Sequence, residues 1–277
     1  MATAAKARFA SEEIKPSIGS RILADKETLL SGDYAAEIRE LLEQRGVLVF
    51  PEIHFDDDEQ VAFTSTLGKF ARELRGEDIY KITLDKSVTA TADYLKATIF
   101  WHFDGFSSPM PIRASLLSSK VLSEEGGNTE FANTYAAYDA LPDADKAMLE
   151  GMEAVHCLAS TQLDIDPQPS HAEWQRWLEM GRKALPLVWK HQSGRKSLVL
   201  GNSAHHIVGM DPLESKGLLI RLRDWATQEQ FVYSHEWAVG DLVMWDNTGS
   251  LHRAIPYEVN SKRMLHRTKL EGEEPIV

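Results

Sequence analysis

The order of apolar and polar residues predicts short strands separated by a few helices. Residues 33–44 place apolar side chains at helical spacing among charged ones, which predicts an amphipathic helix. The run Val47–Phe50 is wholly apolar and precedes a proline, as in a short buried strand. The acidic start of residues 56–67 suits the N-terminus of a second helix, because acidic side chains are stabilised there.

The remaining two thirds of the chain alternate between similar short elements. Further helices are predicted from Tyr135, from Pro142 and over 170–183 and 213–227, and strands over 98–101, 114–117, 129–131, 197–200, 231–234, 241–245 and 264–269. Many short strands broken by glycine and proline favour a jelly roll, also called a double-stranded β-helix, over a doubly wound sheet. The predicted fold is mainly β with flanking helices, in a single domain over 1–277 whose first 30 residues are a partly irregular extension.

Composition and charge narrow the classes of function. The chain has 277 residues, 43% of them hydrophobic, enough for a sizeable core. A net charge of −12 argues against nucleic acid as a partner, although a local arginine cluster could still receive a small anion. Cys157 is the only cysteine, so neither an internal disulfide nor a thiolate-rich metal site can form.

The N-terminal residues and the hydropathy of the chain bear on its location in the cell. The first residues lack the apolar run of a signal peptide, and no segment approaches the roughly 20 apolar residues that span a bilayer. A cytoplasmic protein without a membrane partner is therefore expected. Formation of a homo-oligomer stays open, because no stretch of sequence indicates it.

Candidate metal ligands occur in two segments separated along the chain. His102 and Asp104 flank one residue, and alternate side chains of a strand share a face. His252 would come from a distant strand, and Arg263 follows it by eleven residues. Two histidines and one carboxylate hold iron(II) while leaving positions open for a cosubstrate and O₂. An arginine nearby could hold a dicarboxylate, because its planar fork matches a carboxylate.

The other histidines are weaker candidates for metal binding. Most have no carboxylate at short spacing in a strand, and His156 is among them. His205 and His206 are adjacent, and neighbours in an extended chain face opposite sides, so only one could point into a site. A substrate wall or a structural role is the interpretation for this pair, with His206 as the candidate substrate contact.

Several ordered motifs resemble a known family. They include Gly-Gly-Asn-Thr-Glu-Phe at 126–131, Tyr-Ala-Ala-Tyr-Asp-Ala-Leu-Pro at 135–142, Gly-Arg-Lys-Ser-Leu at 194–198 and Gly-Asp-Leu-Val-Met-Trp-Asp-Asn at 240–247. Over about residues 38–271 the chain is similar to the Fe(II)/2-oxoglutarate-dependent dioxygenases of the taurine dioxygenase family, and most of all to the 2,4-dichlorophenoxyacetate dioxygenase branch.

The resemblance implies an enzyme that uses Fe(II), 2-oxoglutarate and O₂, hydroxylates a substrate and releases succinate and CO₂. It implies that His102, Asp104 and His252 are the iron ligands. It further implies that Thr129 and Arg263 bind the distal carboxylate of 2-oxoglutarate. The remaining implied role is that of Arg267, which would meet an anionic group of the primary substrate.

Two departures from the family limit the substrate. Thr248 stands where the family usually has arginine after Trp-Asp-Asn, and residues 67–72 lack the histidine that taurine dioxygenases use for the sulfonate. Taurine is therefore not expected. Phe103 and Phe106 could line an apolar pocket, so an organic acid with an apolar body, such as an aryloxyalkanoate or another carboxylate or sulfonate, is the predicted substrate.

The sequence leaves two alternative functions open. The same iron site could support desaturation or oxidative bond cleavage, which the mass of the product would distinguish from hydroxylation. The chain could instead be a non-catalytic jelly-roll protein that binds a ligand without turnover. The full set of predicted ligands and carboxylate-binding residues argues against that second possibility.

Overall fold

A computed structural model describes residues 9–73, 76–89 and 91–277. In these ranges the strands are β1 (Ala10–Glu13), β2 (Ser20–Leu23), β3 (Val47–Phe50), β4 (Tyr80–Ile82), β5 (Ala114–Val121), β6 (Thr129–Asn133), β7 (Glu153–Cys157), β8 (Arg182–Pro186), β9 (Val188–Lys190), β10 (Lys196–Leu198), β11 (Ala204–Ile207), β12 (Val232–His235), β13 (Leu242–Asp246), β14 (Ser250–Ala254) and β15 (Met264–Leu270). The fold class is mainly β with helices, as predicted.

The helices lie around these strands. They are α1 (Lys26–Leu30), α2 (Ala35–Arg45), α3 (Asp57–Leu67), α4 (Ala92–Leu95), α5 (Thr134–Asp139), α6 (Asp143–Leu149), α7 (Leu158–Leu163), α8 (His171–Glu179) and α9 (Pro212–Ala226). Short 3-10 helices cover Lys96–Ile99 and Glu229–Phe231. Among the residues described, no helix combines the length and the apolar character that crossing a membrane requires.

The strands form one large sheet and three small ones. The large sheet has the order β1-β2-β3-β13-β5-β15-β4, and the small ones have the orders β12-β6-β14, β11-β7-β8 and β10-β9. Nearly all pairs are antiparallel, and β2 with β3 is the parallel exception among the described pairs.

The central strands of the large sheet are buried on both faces. In β3, Leu48 and Phe50 pack with helices α2 and α3, whereas Val47 and Val49 pack in a cluster that contains Phe131 of the sheet β12-β6-β14. Because strand side chains alternate between faces, one face meets helices and the other meets a second sheet. This arrangement explains why the Val47–Phe50 run is wholly apolar.

Two local predictions need correction. Residues 98–101 were expected to be a strand, but a 3-10 helix ends at Ile99 and the chain is extended only around His102, outside any named strand. The helix predicted over 170–183 ends at Glu179, and β8 begins at Arg182. A capping box at Ser170 starts α8, while Gly181 has a positive φ that interrupts it.

The N-terminal region contains short regular elements joined by irregular connections. Residues 1–30 were predicted to be a partly irregular extension, and the described part of it, from residue 9, contains β1, β2 and α1. Buried Ile18 and Ile22 hold this segment against the large sheet. The first eight residues of the predicted extension lie outside the described residues.

Candidate metal centre

His102, Asp104 and His252 come together at one point of the structure. One ligand atom of each lies within 4.8 Å of those of the other two. The imidazole rings of His102 and His252 are 4.1 Å apart between centroids. The structure therefore brings together the three residues that the sequence selected, although they span 150 positions of the chain.

His102 is oriented by the residues around it. Its backbone exchanges two hydrogen bonds with His252, at 3.0 and 2.8 Å. Its Nδ1 lies 2.8 Å from the carbonyl oxygen of Phe100. A carbonyl only accepts, so Nδ1 carries the proton and Nε2 keeps the lone pair that a metal requires.

A close approach of the backbone also fixes His102. Gly201 has φ +127°, and a Cβ built on it would lie 3.1 Å from Cα of His102 and 3.3 Å from the carbonyl oxygen of Trp101. The amide of Asn202 donates to that same carbonyl at 2.9 Å. The loop before β11 therefore supports the ligand segment from behind, and glycine is required for this contact.

Asp104 is held by an amide side chain from the Trp-Asp-Asn motif. Oδ1 of Asn247 accepts from the amide of Asp104 at 2.8 Å, and its Nδ2 donates to the carbonyl oxygens of Asp104 and Ile112 at 2.9 and 3.1 Å. Asn247 thus fixes the backbone on both sides of the carboxylate. In the sequence, Asn247 was recognised only as part of the motif at 240–247, and no role was predicted for it.

The imidazole ring of His252 is positioned by aromatic packing and not by a hydrogen bond. Its ring lies 4.8 Å from that of Trp245 and 6.4 Å from that of Phe131, between centroids. Phe131 is directly opposite His252 in the register of β6 and β14. Nδ1 of His252 is buried and has no hydrogen-bond partner among the described residues.

The protonation states suit a divalent metal. Burial, together with the neighbouring His102, lowers the pKa of His252 to about 3, so its ring is neutral at pH 7. Burial disfavours the charge on Asp104, but the guanidinium of Arg267 beside it outweighs that effect, and the pKa of Asp104 is lowered to about 2. Neutral imidazoles and an ionised carboxylate are the forms that bind metal. This donor set therefore fits iron(II).

Arg263 lies at a second cluster, beside the two glycines that precede β6. Its Nη2 donates to the carbonyl oxygen of Gly127 at 2.7 Å, and its guanidinium stacks on Tyr257 at 4.5 Å. Burial lowers its pKa, with Tyr257 opposing this effect. Nε is buried without a partner among the described residues, which leaves a donor for an anion.

Gly127 is required for this placement of Arg263. Its φ is +82°, and a Cβ built there would lie 2.8 Å from Nε of Arg263. The Gly-Gly pair therefore both turns the chain and leaves room for the guanidinium. Thr129 follows two residues later, buried at 5% exposure, and its hydroxyl accepts a hydrogen bond from Nε1 of Trp237 at 3.0 Å.

Arg267 lies beside the candidate metal ligands and is already paired. Nη1 donates to Asp104 at 2.9 Å and Nη2 to Glu73 at 3.2 Å, and Lys269 also pairs with Glu73 at 2.8 Å. Burial disfavours its charge, but Asp104 and Glu73 outweigh that effect and raise its pKa. Its Nε is buried without a partner among the described residues. Glu73 had no signal in the sequence, since its loop carries no motif.

The predicted apolar wall also includes His156, which was expected only to be a weak candidate for metal binding. The ring of Phe103 is 5.8 Å and that of Phe106 is 6.2 Å from the ring of His156. His156 is fully buried, its Nδ1 contacts the hydroxyl of Ser203 at 2.8 Å, and its Nε2 has no partner among the described residues. Burial lowers its pKa to about 4, so the ring is a neutral part of this wall.

The pair His205 and His206 departs from simple strand alternation. Their Nδ1 atoms lie 2.8 Å apart, so the two rings do not point to opposite faces as the sequence predicted. A register shift between Ala204 and His206, where β11 pairs with β7, is the physical reason. His206 pairs with Val155, the neighbour of His156, and its contact with substrate stays a prediction.

Thr248, the departure from the family pattern noted in the sequence, is contacted by an arginine from another segment. Arg113, from the segment before β5, donates to Thr248 Oγ1 at 3.1 Å and pairs with Asp246 at 2.7 Å. The Thr248 hydroxyl in turn donates to Asp246 at 2.7 Å. A guanidinium is therefore present at this turn, supplied by another part of the chain.

Comparison with known proteins agrees with this site. A sheet-rich fold that clusters two histidines and one carboxylate defines a candidate non-haem iron enzyme. The family described as "Taurine catabolism dioxygenase TauD, TfdA family" matches residues 10–269, and the chain belongs to this family. The resemblance predicted from the motifs is thereby confirmed.

Curated relatives carry names of the same kind. The chain is 36% identical to an (S)-phenoxypropionate/alpha-ketoglutarate-dioxygenase of Sphingobium herbicidovorans over 238 residues, covering 82% of each chain. It is 37% identical to an alpha-ketoglutarate-dependent 2,4-dichlorophenoxyacetate dioxygenase of Burkholderia sp. over 259 residues, covering 86% of each.

A solved structure extends the comparison to the fold. The crystal structure of AAD-2 in complex with Mn(II) and N-oxalylglycine superposes with a TM-score of 0.84 at 32% identity, covering 98% of this chain and 100% of that one. Together these findings make the protein a 2-oxoglutarate-dependent dioxygenase that uses Fe(II), 2-oxoglutarate and O₂.

Proposed function

We propose that this dioxygenase hydroxylates a small anionic organic substrate of the aryloxyalkanoate type at an iron held by His102, Asp104 and His252. The observation that carries the proposal is the convergence of these three side chains within 4.8 Å. Arg267 pairs with Asp104 at 2.9 Å and keeps an Nε without a partner among the described residues. When bound, Fe(II) supplies the redox chemistry that couples O₂ to oxidative decarboxylation of 2-oxoglutarate. The chain's own residues supply orientation, charge and exclusion of water.

The distal carboxylate of 2-oxoglutarate is assigned to Arg263 and Thr129. Arg263 is held on one side by Gly127 and Tyr257, so its remaining donors have a fixed direction. Fixed donors bind a carboxylate at lower entropic cost than mobile ones. Both residues are buried, which strengthens a charged hydrogen bond relative to one in water.

The substrate is assigned to the side of the site where Phe103 and Phe106 meet His156. These rings offer an apolar wall, which suits an aromatic body. Arg267 would receive the substrate's anionic group through its unpartnered Nε. Both relatives named above act on aromatic carboxylates by name, phenoxypropionate and 2,4-dichlorophenoxyacetate, which supports the same class here.

The proposal extends to architecture and location. The sandwich of a seven-stranded sheet and the sheet β12-β6-β14 supports a double-stranded β-helix that brings β14 and the His102 segment together. We propose a single domain over the whole chain, with a cytoplasmic location.

The test begins without a substrate. Fe(II) and then 2-oxoglutarate are added to the apoprotein under anaerobic conditions, and the visible spectrum is recorded. A weak metal-to-ligand charge-transfer band is expected for the native protein. His252→Ala should abolish it, and Arg263→Lys should raise the 2-oxoglutarate concentration that gives half of it by about tenfold or more, since lysine cannot form the bidentate pair.

Turnover then identifies the substrate class. Succinate release is measured with phenoxypropionate, 2,4-dichlorophenoxyacetate, an alkyl sulfate and taurine, and product masses are recorded. The aryloxyalkanoates should stimulate succinate formation most. The product mass should correspond to the substrate with one added oxygen, or to the fragments formed when that hydroxylated product breaks down. A spectrum that keeps the band in His252→Ala would overturn the metal assignment, and preference for taurine would overturn the substrate class.

A further inference from the structure

Trp237 contacts one of the two residues assigned to the distal carboxylate of 2-oxoglutarate. Its Nε1 lies 3.0 Å from Oγ1 of Thr129, and both side chains are buried, at 9% and 5% exposure. Trp237 lies between β12 and β13, two residues after His235, which pairs with Thr129 in the register of β12 and β6. The indole therefore reaches back over the sheet to its neighbouring strand.

The direction of this hydrogen bond is fixed by chemistry. An indole N–H can only donate, so the Thr129 oxygen must accept. The hydroxyl hydrogen of Thr129 is then left for another acceptor, and the described residues provide none. A hydroxyl that accepts one hydrogen bond is also a better donor in the next. Trp237 thus prepares Thr129 to donate and not to accept.

The indole is itself held in place. The ring of His235 meets it edge-on, at 4.5 Å between centroids and an interplanar angle of 88°. Nε2 of His235 lies 3.1 Å from Oδ2 of Asp241, and its Nδ1 lies 2.9 Å from the hydroxyl of Tyr233. Because Oδ2 of Asp241 also accepts from the amide of Ala238 at 2.9 Å, the turn that carries Trp237 is fixed at both of its sides.

We propose that Trp237 is a positioning residue for 2-oxoglutarate, which acts by turning the Thr129 hydroxyl into a directed donor to the distal carboxylate. The inference rests on the proposed assignment of that carboxylate to Thr129 and Arg263. It also gives the site a chemical preference: two donors, one on each residue, select an ionised carboxylate over a neutral amide of the same shape.

The experiment measures binding and not turnover. N-Oxalylglycine is titrated calorimetrically into the Mn(II)-loaded protein, with native Trp237 and with W237F, which keeps an aromatic ring but has no N–H. Because W237F no longer donates a hydrogen bond to the Thr129 hydroxyl, it should bind N-oxalylglycine about two- to tenfold more weakly. W225F is the matched control, because Nε1 of Trp225 donates at 2.9 Å to the backbone carbonyl of Ala137, which has no assigned role in binding 2-oxoglutarate or the metal. It should leave binding unchanged, and Mn(II) affinity should be equal in all three proteins.

A double-mutant cycle separates positioning from general packing. T129V removes the hydroxyl and keeps the side-chain shape. If Trp237 acts through that hydroxyl, W237F should have no further effect in the T129V background. Equal weakening by W237F in both backgrounds would overturn the inference while leaving the proposed carboxylate site intact. Unchanged binding in T129V alone would overturn the Thr129 assignment and the inference with it.

Folding of the variant is controlled separately. Should W237F fail to fold, a benzothienyl analogue of tryptophan at position 237 keeps the size of the ring and replaces N–H by sulfur. The same weakening and the same loss of coupling to Thr129 are expected. Native affinity with this analogue would overturn the inference.

Discussion

His102 and His252 exchange backbone hydrogen bonds in both directions, N–H of each to the carbonyl oxygen of the other, at 3.0 and 2.8 Å. This isolated bridge fixes the distance between the backbones of the two candidate ligands, so motion of other side chains does not change it. The third candidate, Asp104, has no such bridge and depends on a side chain from β13's end, that of Asn247.

Asn247→Ala should therefore weaken metal binding while the fold persists. The variant removes one acceptor and two donors that fix the backbone around Asp104, and residues that orient ligands typically change metal affinity 10- to 100-fold. A titration of the apoprotein with Mn(II) measures it. Asn260→Ala, at an exposed position, is the control. Native Mn(II) affinity in Asn247→Ala would contradict the proposed role.

Gly201→Ala should also weaken metal binding, through a steric contact. The new Cβ would lie 3.1 Å from Cα of His102, so the ligand segment must shift. Gly194→Ala is a matched control, because its φ is +85° but a Cβ there meets nothing within 4 Å. Both variants should lose roughly 1–3 kcal/mol of stability from the strained backbone. Only Gly201→Ala should lose Mn(II) affinity, and equal affinities would exclude the steric contact.

Glu73→Gln should improve binding of an anionic substrate. Glu73 neutralises Arg267 and Lys269 beside the site, so its charge opposes the approach of a carboxylate. Removing that charge should lower the KM for an aryloxyalkanoate several-fold at low ionic strength, and salt should reduce the gain. Glu77→Gln, at an exposed position, should change little. A raised KM in Glu73→Gln would mean that Glu73 orients Arg267 and does not compete for it.

The sequence predicted the chemistry of the site better than its supporting residues. His102, Asp104 and His252 have a spacing and a motif context that can be recognised in one dimension, and the structure clusters them. The premise that His102 and Asp104 share a strand was wrong, because no strand covers 102–104 and only His102 forms a bridge, to His252. What brings the ligands together is the bridge to β14, a long-range pairing that local pattern does not encode.

The residues that the sequence missed share a physical reason. Each contacts a residue that is distant in the chain. Glu73 contacts Arg267, 194 positions away, Trp237 contacts Thr129, 108 positions away, and His156 contacts Phe103, 53 positions away. None of them belongs to a short motif of its own. The contact of Arg113 with Thr248 and Asp246 is of the same kind, since it joins the end of β13 to a distant segment of the chain.

Acidification should destabilise the apoprotein through its buried neutral histidines. Burial lowers the pKa of His156 from 6.5 to about 4. Between these values the unfolded chain holds a proton that the folded chain lacks, so the free energy of unfolding falls as pH is lowered through that window. One such proton contributes about 1.4 kcal/mol per pH unit. His252, with its pKa near 3, acts in the same direction.

The contribution of His156 is measured as the change in the free energy of unfolding with pH, and not as the free energy at one pH. Urea unfolding of the apoprotein at pH 5 and pH 6 gives the slope, and His156→Asn should reduce it by an amount approaching one proton, whatever its effect on stability at pH 7. His171→Asn, at an exposed position, should leave the slope close to native. An unchanged slope in His156→Asn would mean that His156 is protonated in the folded state at pH 5. A charged His156 would then stand in the wall formed with Phe103 and Phe106, and that wall could not serve as the apolar side of the substrate site.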